Sequence, residues 1–482
     1  MQLRERIALW ARPTVYLGRN PVTLLGAVLT TSAGLTLLTF WTFELFGGGP
    51  VHPYAGIIFF LILPTIFVAG LTMMPAGALW RRRKLRLAGQ LPDIYPKIDF
   101  RDSLLRRASA LVAVATFLNV AILGTATYRG VQYMDSVSFC GQVCHSVMEP
   151  EYTAYRNSPH SRVSCTGCHI GPGAPWFVRS KLSGVRQVFA VTFGTFSRPI
   201  PTPVRELRPA RETCEQCHWP QKFYGDKFLV RTKYAEDEAN TPLTTVLVLK
   251  IGGRTWQGAV GIHGRHLDTI ERISYLATDD RRQVIPKVTY VDDNGQTVEY
   301  ISSEVPLTPE VLARAETRQM DCMDCHNRPT HIFRMPERGV DEAIAAGRIS
   351  PQLPYIKKKA VELLRADYSD RATAAARIAA GLTEFYRTSY PDTYKSHRPL
   401  VEMAVQSVQE IYARNVFPGM YISWGTYPDN VGHQDFLGCF RCHDGSHTSK
   451  DGRVITQECT ACHTILAMEE ASPKILQDMG LR

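Results

Sequence analysis

Hydrophobic positions divide the chain into an apolar N-terminal part and a longer part of mixed character. Residues 21–46, 54–79 and 108–128 form three apolar runs, with Glu44 near the end of the first and Pro64 inside the second. Each run is long enough to cross a hydrocarbon layer of about 30 Å as a helix, and such helices tolerate proline. The pattern therefore predicts a membrane anchor over residues 1–128 with three transmembrane helices.

A different pattern follows between residues 176 and 189. Apolar residues recur there at helical spacing, at Val178, Leu182, Val185 and Phe189. The intervening basic residues are Arg179, Lys181 and Arg186. A basic amphipathic helix beside a membrane anchor is typical of a helix that lies in the membrane interface. An ordinary helix packed on a protein core is the alternative.

The C-terminal half first shows strand patterns and then helical ones. The β-branched runs are Thr244–Ile251, Gln283–Val291 and Thr297–Ile301, with a hairpin signal at 293–295 between the last two. Helical periodicity follows at about 338–347, 352–366, 369–388 and 397–414. The prediction is a mainly α chain with N-terminal transmembrane helices and a small β insertion over residues 221–305.

The cysteines introduce the chemistry. All twelve fall into six pairs, each followed directly by a histidine: Cys140/Cys144, Cys165/Cys168, Cys214/Cys217, Cys322/Cys325, Cys439/Cys442 and Cys459/Cys462. Two cysteines at this spacing attach one porphyrin, and the next histidine lies under the iron as an axial ligand. Structural zinc is the alternative, but a zinc site joins two such pairs and needs no histidine after each. The sequence therefore predicts six covalent c-type haems, with little regular structure around them.

The six motifs, numbered in chain order, supply one axial ligand each. The motif histidines are His145, His169, His218, His326, His443 and His463. In the first motif three residues separate the cysteines instead of two, and Met148 lies three residues after His145. A thioether also ligates haem iron. Either His145 or Met148 therefore holds the first iron.

Eight histidines remain as candidates for the second axial position. Four flank motifs and are expected to cap the irons of neighbouring motifs: His160, His331, His433 and His447. Three more lie farther away, His263 and His266 in a glycine-rich segment and His397 before a predicted helix. His52 follows the first apolar run, where it either serves a quinone site or has no role.

The net charge of +10 is explained by membrane topology. Residues 1–107 hold thirteen Lys and Arg but five Asp and Glu, an excess of eight. Positively charged segments stay in the cytoplasm, which places the N-terminus and residues 80–107 there and residue 129 onward outside. Covalent haem is also attached on the outer side. We therefore expect a multi-pass inner-membrane protein whose haem domain faces the periplasm, with no nucleic-acid partner.

The apolar run before two close motifs, and the segment Cys144–Tyr152, resemble the NapC/NirT/NrfH family of membrane-anchored, quinol-oxidising multihaem cytochromes. The resemblance covers about residues 108–218 and resumes at 322–331. It implies a quinone site along the stretch after the second motif, where Lys181 occupies the place of the family's lysine. It also implies that His160 and His331 are distal haem ligands. The family's acidic residue has no counterpart here.

These features predict four regions: the anchor 1–128, a haem region 129–220 with motifs one to three and the interfacial helix, the β-rich insertion 221–305, and a haem region 306–482 with motifs four to six. The expected activity is that of a quinol dehydrogenase. Menaquinol from the membrane pool would bind between the interfacial helix and the first haem, Lys181 would hydrogen-bond it, and Glu149 or Glu151 would take a proton. Electrons would then reach periplasmic cytochromes or reductases in anaerobic or extracellular respiration.

Two other functions remain open at this point. The chain could be a haem relay subunit of a larger membrane complex, with the interfacial helix as a protein contact. It could also be a terminal multihaem reductase, which needs one iron left open to substrate.

Overall fold

The computed structural model of the chain describes residues 12–45, 58–95, 103–204, 207–219, 225–255, 258–267, 272–292 and 294–481. His52 and the first residue of the predicted hairpin turn, Asp293, lie outside these residues. The chain separates into two compact units, Met1–His145 and Ser146–Arg482.

The first unit is helical. Its long helices are α1 (Pro21–Leu45), α2 (Leu63–Leu87) and α3 (Ser103–Met134), with π-helical turns at Ile58–Ile62 and Phe139–Val143. Pro64 lies at the start of α2, directly after the π-helical turn Ile58–Ile62. The segments Pro21–Thr42 and Ile58–Leu87 are long and apolar enough to cross a membrane. The third predicted span lies within α3, and its crossing stays a prediction.

Small residues bring α1 and α2 close together. A Cβ on Gly26 would lie 2.7 Å from the carbonyl oxygen of Gly70, so neither helix accepts a larger residue at this crossing. The Thr23 hydroxyl donates a hydrogen bond to the Met74 carbonyl oxygen across the same contact (3.0 Å). Ile122 of α3 joins the small core of this unit, in which Leu37 and Phe67 are fully buried. The anchor is therefore a packed helical assembly.

The second unit contains many short helices around the motifs and one longer bundle. Its helices are α4 (His145–Arg156), α5 (Cys165–His169), α6 (Ala174–Thr192), α7 (Ala210–Cys214), α8 (Gly261–Leu267), α9 (Pro309–Arg314), α10 (Cys322–Cys325), α11 (Pro336–Ala345), α12 (Ile356–Arg365), α13 (Arg371–Ser389), α14 (Pro391–Ser396), α15 (Arg398–Asn415), α16 (Cys459–Cys462) and α17 (Lys474–Asp478). The bundle α11–α15 confirms the four predicted helical patterns and encloses the largest core.

The strands are β1 (Lys227–Tyr234), β2 (Pro242–Leu249), β3 (Gly253–Thr255), β4 (Gly258–Val260), β5 (Arg272–Ala277), β6 (Lys287–Val291), β7 (Thr297–Ser302), β8 (Glu316–Gln319), β9 (His447–Ser449) and β10 (His463–Glu470). They form a sheet β1-β2-β10, a sheet β8-β5-β6-β7-β9 and the hairpin β3-β4. The three predicted strand runs correspond to β2, β6 and β7.

The sheets reach beyond the predicted insertion 221–305. Strands β8, β9 and β10 come from residues 316–470 and pair antiparallel with β5, β7 and β2. These pairings join distant parts of the chain, and local periodicity carries no information about them. The β region is thereby hydrogen-bonded to the segments that carry the fifth and sixth motifs.

Candidate haem sites

Five of the six motifs lie in the second unit, and each of these five overlaps a short helical turn. In α5, the Ser164 side chain caps the turn by accepting a hydrogen bond from the Gly167 N–H (3.1 Å). In α10, Asp321 and Asp324 form a reciprocal capping box around the fourth motif. Such caps fix the turn that presents both cysteines and the following histidine. None of the twelve cysteines is joined to another in a disulfide.

The structure brings each motif histidine of the second unit close to the ring of a histidine from elsewhere in the chain. The ring-centre distances are 6.2 Å for His169 and His331, 5.9 Å for His218 and His160, 6.3 Å for His326 and His263, 5.7 Å for His443 and His266, and 6.2 Å for His463 and His433. An imidazole nitrogen binds a metal at about 2 Å, so two rings on opposite sides of one ion have centres about 6 Å apart. The five pairs therefore fit haem irons with two histidine ligands.

Hydrogen bonds orient several of these rings. His331 Nδ1 lies 3.0 Å from the Glu151 carbonyl oxygen, and His160 Nδ1 lies 3.2 Å from that of Pro329. Nδ1 of His266 and of His443 lie 2.8 and 2.7 Å from the carbonyl oxygens of Ile262 and Thr456. A carbonyl oxygen only accepts, so each Nδ1 carries the proton and Nε2 keeps the lone pair that binds a metal.

Burial favours the neutral, metal-binding form of the paired imidazoles. It lowers the pKa of several of them, namely His169, His263, His266, His326, His331 and His463. The physical cause is that a charged imidazolium loses its hydration inside the protein. A lower pKa makes it easier for a metal to displace the proton of a charged imidazole.

The zinc alternative finds no support in this geometry. Among the residues that the structure describes, no group of three or more His, Cys, Asp or Glu side chains converges as a metal ion would require. The paired rings instead have the separation of two imidazoles that share one iron, whereas a tetrahedral zinc site needs four ligands.

Neighbouring motifs lie beside one another in chain order. Burial raises the pKa of the Cys168 thiol, with smaller contributions from Cys165 and from Cys217 of the third motif. A hydrogen bond from the thiol of Cys214 in the third motif to Cys322 of the fourth motif, together with burial, raises the pKa of Cys214. The third and fourth motifs are therefore in direct contact, and the second and third are close enough to interact electrostatically.

The same order continues to the end of the chain. Burial, assisted by Cys439 of the fifth motif, raises the pKa of Cys325 to about 12. Burial, assisted again by Cys439, also raises the pKa of Cys462 in the sixth motif. The motifs of the second unit thus form a series from the second to the sixth.

Two predicted distal ligands are not brought to a motif histidine. His447 is 1% exposed in β9, with Nδ1 at 2.9 Å from the Asp444 carboxylate and Nε2 at 2.8 Å from the Ile285 carbonyl oxygen. His397 is exposed before α15, and its Nδ1 lies 2.8 Å from the Ser396 hydroxyl. Both nitrogens of His447 have protein partners, so it supports the sheet. His433 and His447 lie at similar sequence distances from the fifth motif, so sequence position alone does not show which of them faces a motif histidine.

The first motif lies in the other unit and is described only in part. Cys140 and Cys144 are partly buried around the π-helical turn Phe139–Val143. The side chain of His145 lies outside the described part of the chain, and Met148 is partly buried in α4. The alternative between His145 and Met148 stays open.

The two acidic residues predicted for the quinol site occupy different surroundings. Glu149 is half exposed and forms an ion pair with Arg371. Glu151 is largely buried, pairs with the buried Arg328 at 3.2 Å and lies 3.1 Å from His331 Nδ1. Sequence inspection missed this second role of Glu151, because Arg328 and His331 are 177 and 180 residues away.

The predicted amphipathic helix is present as α6. The apolar positions of the pattern, Val178, Leu182, Val185 and Phe189, are exposed by 54, 68, 56 and 59%. Lys181 lies on the same helix with its Nζ 4.8 Å from the centre of the Phe177 ring. The described residues thus provide no protein core for this apolar face, which differs from the core-packing alternative.

Comparison with known proteins agrees with the motifs and the anchor. The family model for the NapC/NirT cytochrome c family, N-terminal region, matches residues 103–200. Cytochrome c-type protein ImcH of Geobacter sulfurreducens is 43% identical over 454 residues, which are 93% of this chain and 88% of that protein. No solved structure matches the chain.

Proposed function

Because the chain belongs to the NapC/NirT family of c-type cytochromes, we propose that it is a six-haem, quinol-oxidising cytochrome of the inner membrane. It would pass electrons from menaquinol to periplasmic cytochromes or reductases in anaerobic or extracellular respiration. The observation that carries this proposal is the set of five histidine pairs, each at the separation that one shared iron requires.

The cysteines of each motif would hold one haem covalently, and the histidine pairs would hold five of the irons. When bound, haem supplies one-electron redox chemistry, which its axial ligands tune. The chain's contribution is to fix the rings through backbone carbonyls at Nδ1 and to keep the imidazoles neutral by burial. At the first motif, Cys140 and Cys144 would hold the haem, with His145 or Met148 as ligand.

The quinol would bind along α6. The exposed apolar face fits the acyl boundary of a membrane, and the basic side chains fit its headgroups. Lys181 would donate a hydrogen bond to a quinol oxygen. A half-exposed carboxylate exchanges protons with solvent more readily than one in a buried ion pair, so Glu149 suits a proton acceptor better than Glu151. Glu151 would instead position His331.

The predicted membrane topology supports electron transfer from quinol in the membrane to the second unit outside it. Two described segments can cross a membrane, and the basic block Arg81–Arg86 ends the second of them. With the third predicted span, the positive-inside rule would place the second unit in the periplasm. Quinol would then be oxidised at the outer face, and its protons would be released there.

An anaerobic titration of the purified protein with a menaquinol analogue, followed by its visible spectrum, tests this function. We expect the haems to be reduced, and Lys181→Ala to slow the reduction while Arg179→Ala, which removes the same charge two residues away, leaves it near the wild-type rate. If dithionite reduces the protein and quinol does not, the chain is a relay subunit. If Lys181→Ala keeps the wild-type rate, the quinol-site assignment is wrong.

A further inference from the structure

One seven-residue helix faces two motifs. α8 carries His263 and His266, and residues three apart on a helix are neighbours on its surface. The His263 ring lies 6.3 Å from that of His326 in the fourth motif, and the His266 ring lies 5.7 Å from that of His443 in the fifth. The two motifs are more than a hundred residues apart in sequence, yet α8 reaches both.

The start of α8 is fixed by the end of β2. The N–H groups of Ile262 and His263 donate to the carbonyl oxygens of Lys250 and Ile251, at 2.9 and 2.8 Å. Gly261 has a φ of +66°, and a Cβ there would lie 2.6 Å from the Lys250 carbonyl oxygen. Only glycine fits this left-handed, closely packed position without strain. The helix therefore has one defined position relative to β2.

The same end of β2 is bound to the sixth motif. The Lys250 N–H donates to the Cys462 carbonyl oxygen (2.9 Å), and Lys250 Nζ donates to that of Thr460 (2.6 Å). Leu249 is paired with His463 in the β2–β10 ladder. A short segment of backbone thus connects α8 to the motif at the end of the series.

We propose that α8 is a shared ligand helix, which supplies His263 to the iron of the fourth motif and His266 to the iron of the fifth. The sheet β1-β2-β10 supports this helix. The same sheet also holds the sixth motif through the pairing of β2 with β10. The β region therefore has a defined role, because it connects three haem sites and fixes the ligands of two. The inference rests on the proposed function, because it requires haem at these motifs.

Ligand loss tests the assignment without any assay of quinol oxidation. In His263→Ala and in His266→Ala, electron paramagnetic resonance should show one low-spin haem per chain converted to high spin, and two in the double variant. Total haem, measured on the denatured protein, should stay constant, and added imidazole should restore the low-spin signal. His397→Ala is the matched control and should leave every haem unchanged.

Two further variants identify the haems and the shared support. In a chain that lacks the fourth haem through Cys322→Ser and Cys325→Ser, His263→Ala should convert no additional haem, whereas His266→Ala should still convert one. Gly261→Val should perturb two haems at once, whereas Gly419→Ala, at a glycine with open space around its Cα, should perturb none. If Gly261→Val does not fold, the histidine variants decide alone.

The outcomes separate this inference from the proposed function. A wild-type protein without haem on the fourth and fifth motifs would overturn both. A wild-type protein with six haems, in which the single histidine variants keep all their low-spin haems, would overturn the shared helix and leave the proposed function standing.

Discussion

The histidines proposed as second haem ligands come from two different regions of the second unit. Around motifs two, three and six, the facing histidines lie in segments that flank other motifs: His331 follows the fourth motif, His160 precedes the second and His433 precedes the fifth. Around motifs four and five, both facing histidines come from α8, which a sheet holds in place. As ligands, the histidines in flanking segments would join neighbouring motifs, whereas those of α8 would depend on a sheet that is built elsewhere in the chain.

The two groups of histidines are also oriented by different surroundings. His331 is oriented by the backbone carbonyl and the carboxylate of Glu151. That carboxylate forms an ion pair with the buried Arg328. His263 and His266 are oriented by the geometry of one helix and its glycine anchor. Changes near a flanking ligand should therefore affect one haem, and changes at the support of α8 should affect two.

The largest effect of a change in the flanking region is expected for His331→Ala. The haem of the second motif would lose its second histidine and become high spin, and this motif begins the series in the second unit. Reduction of the later haems by quinol should slow by about tenfold or more, which is about 1.4 kcal/mol in activation free energy. Stopped-flow spectroscopy measures the rate. Unchanged spin state in this variant would refute the pairing of His169 with His331.

Glu151→Ala should destabilise the protein, because it leaves the buried guanidinium of Arg328 without its carboxylate. Breaking a buried ion pair costs about 3 kcal/mol or more, and the side chains here are 15% and 6% exposed. Denaturant unfolding of the detergent-solubilised protein measures the loss. Glu149→Ala is the control and should cost less than about 1 kcal/mol, because its pair with Arg371 is exposed. Equal losses in both variants would contradict the distinction between these carboxylates.

His447→Ala should lower stability by about 1–3 kcal/mol, because it leaves the Ile285 carbonyl oxygen buried without a partner. The spin states of all haems should stay as in the wild type, because both ring nitrogens are engaged with protein. His433→Ala, fourteen residues earlier, should instead convert one haem to high spin. A high-spin signal in the His447 variant would make this residue a ligand after all.

His397→Ala is expected to have the smallest effect. The side chain is exposed, and surface substitutions usually change the free energy of unfolding by less than about 0.5 kcal/mol. Both the unfolding midpoint and the visible spectrum should match those of the wild type. A changed spectrum would show that an eleventh histidine takes part in binding the haems of the second unit.

Sequence patterns predict the local features of this chain well. The apolar runs, the helix after the second motif and the bundle at 336–415 follow from periodicity, because neighbouring residues alone determine it. The motif cysteines follow from spacing. His160, His331 and His433 could be selected by their position beside motifs, and the structure places each opposite a motif histidine.

Features that depend on distant contacts were not predictable in this way. Nothing near His447 indicates that β9 pairs with β7 and buries its ring. The partners of His263 and His266 depend on the path of β2, and the pairing of β10 with β2 joins residues more than two hundred positions apart. The contacts of Glu151 with Arg328 and His331 likewise join it to the segment after the fourth motif, which is distant in sequence.

Near-infrared magnetic circular dichroism of the fully oxidised protein tests the central claim most directly, because it distinguishes bis-histidine haem from histidine–methionine and high-spin haem. Five bis-histidine haems per chain are predicted from the ring pairs of the second unit, with the haem of the first motif free to differ through Met148. Fewer than five, in a protein whose total haem content is six, would contradict the proposed ligand pairs.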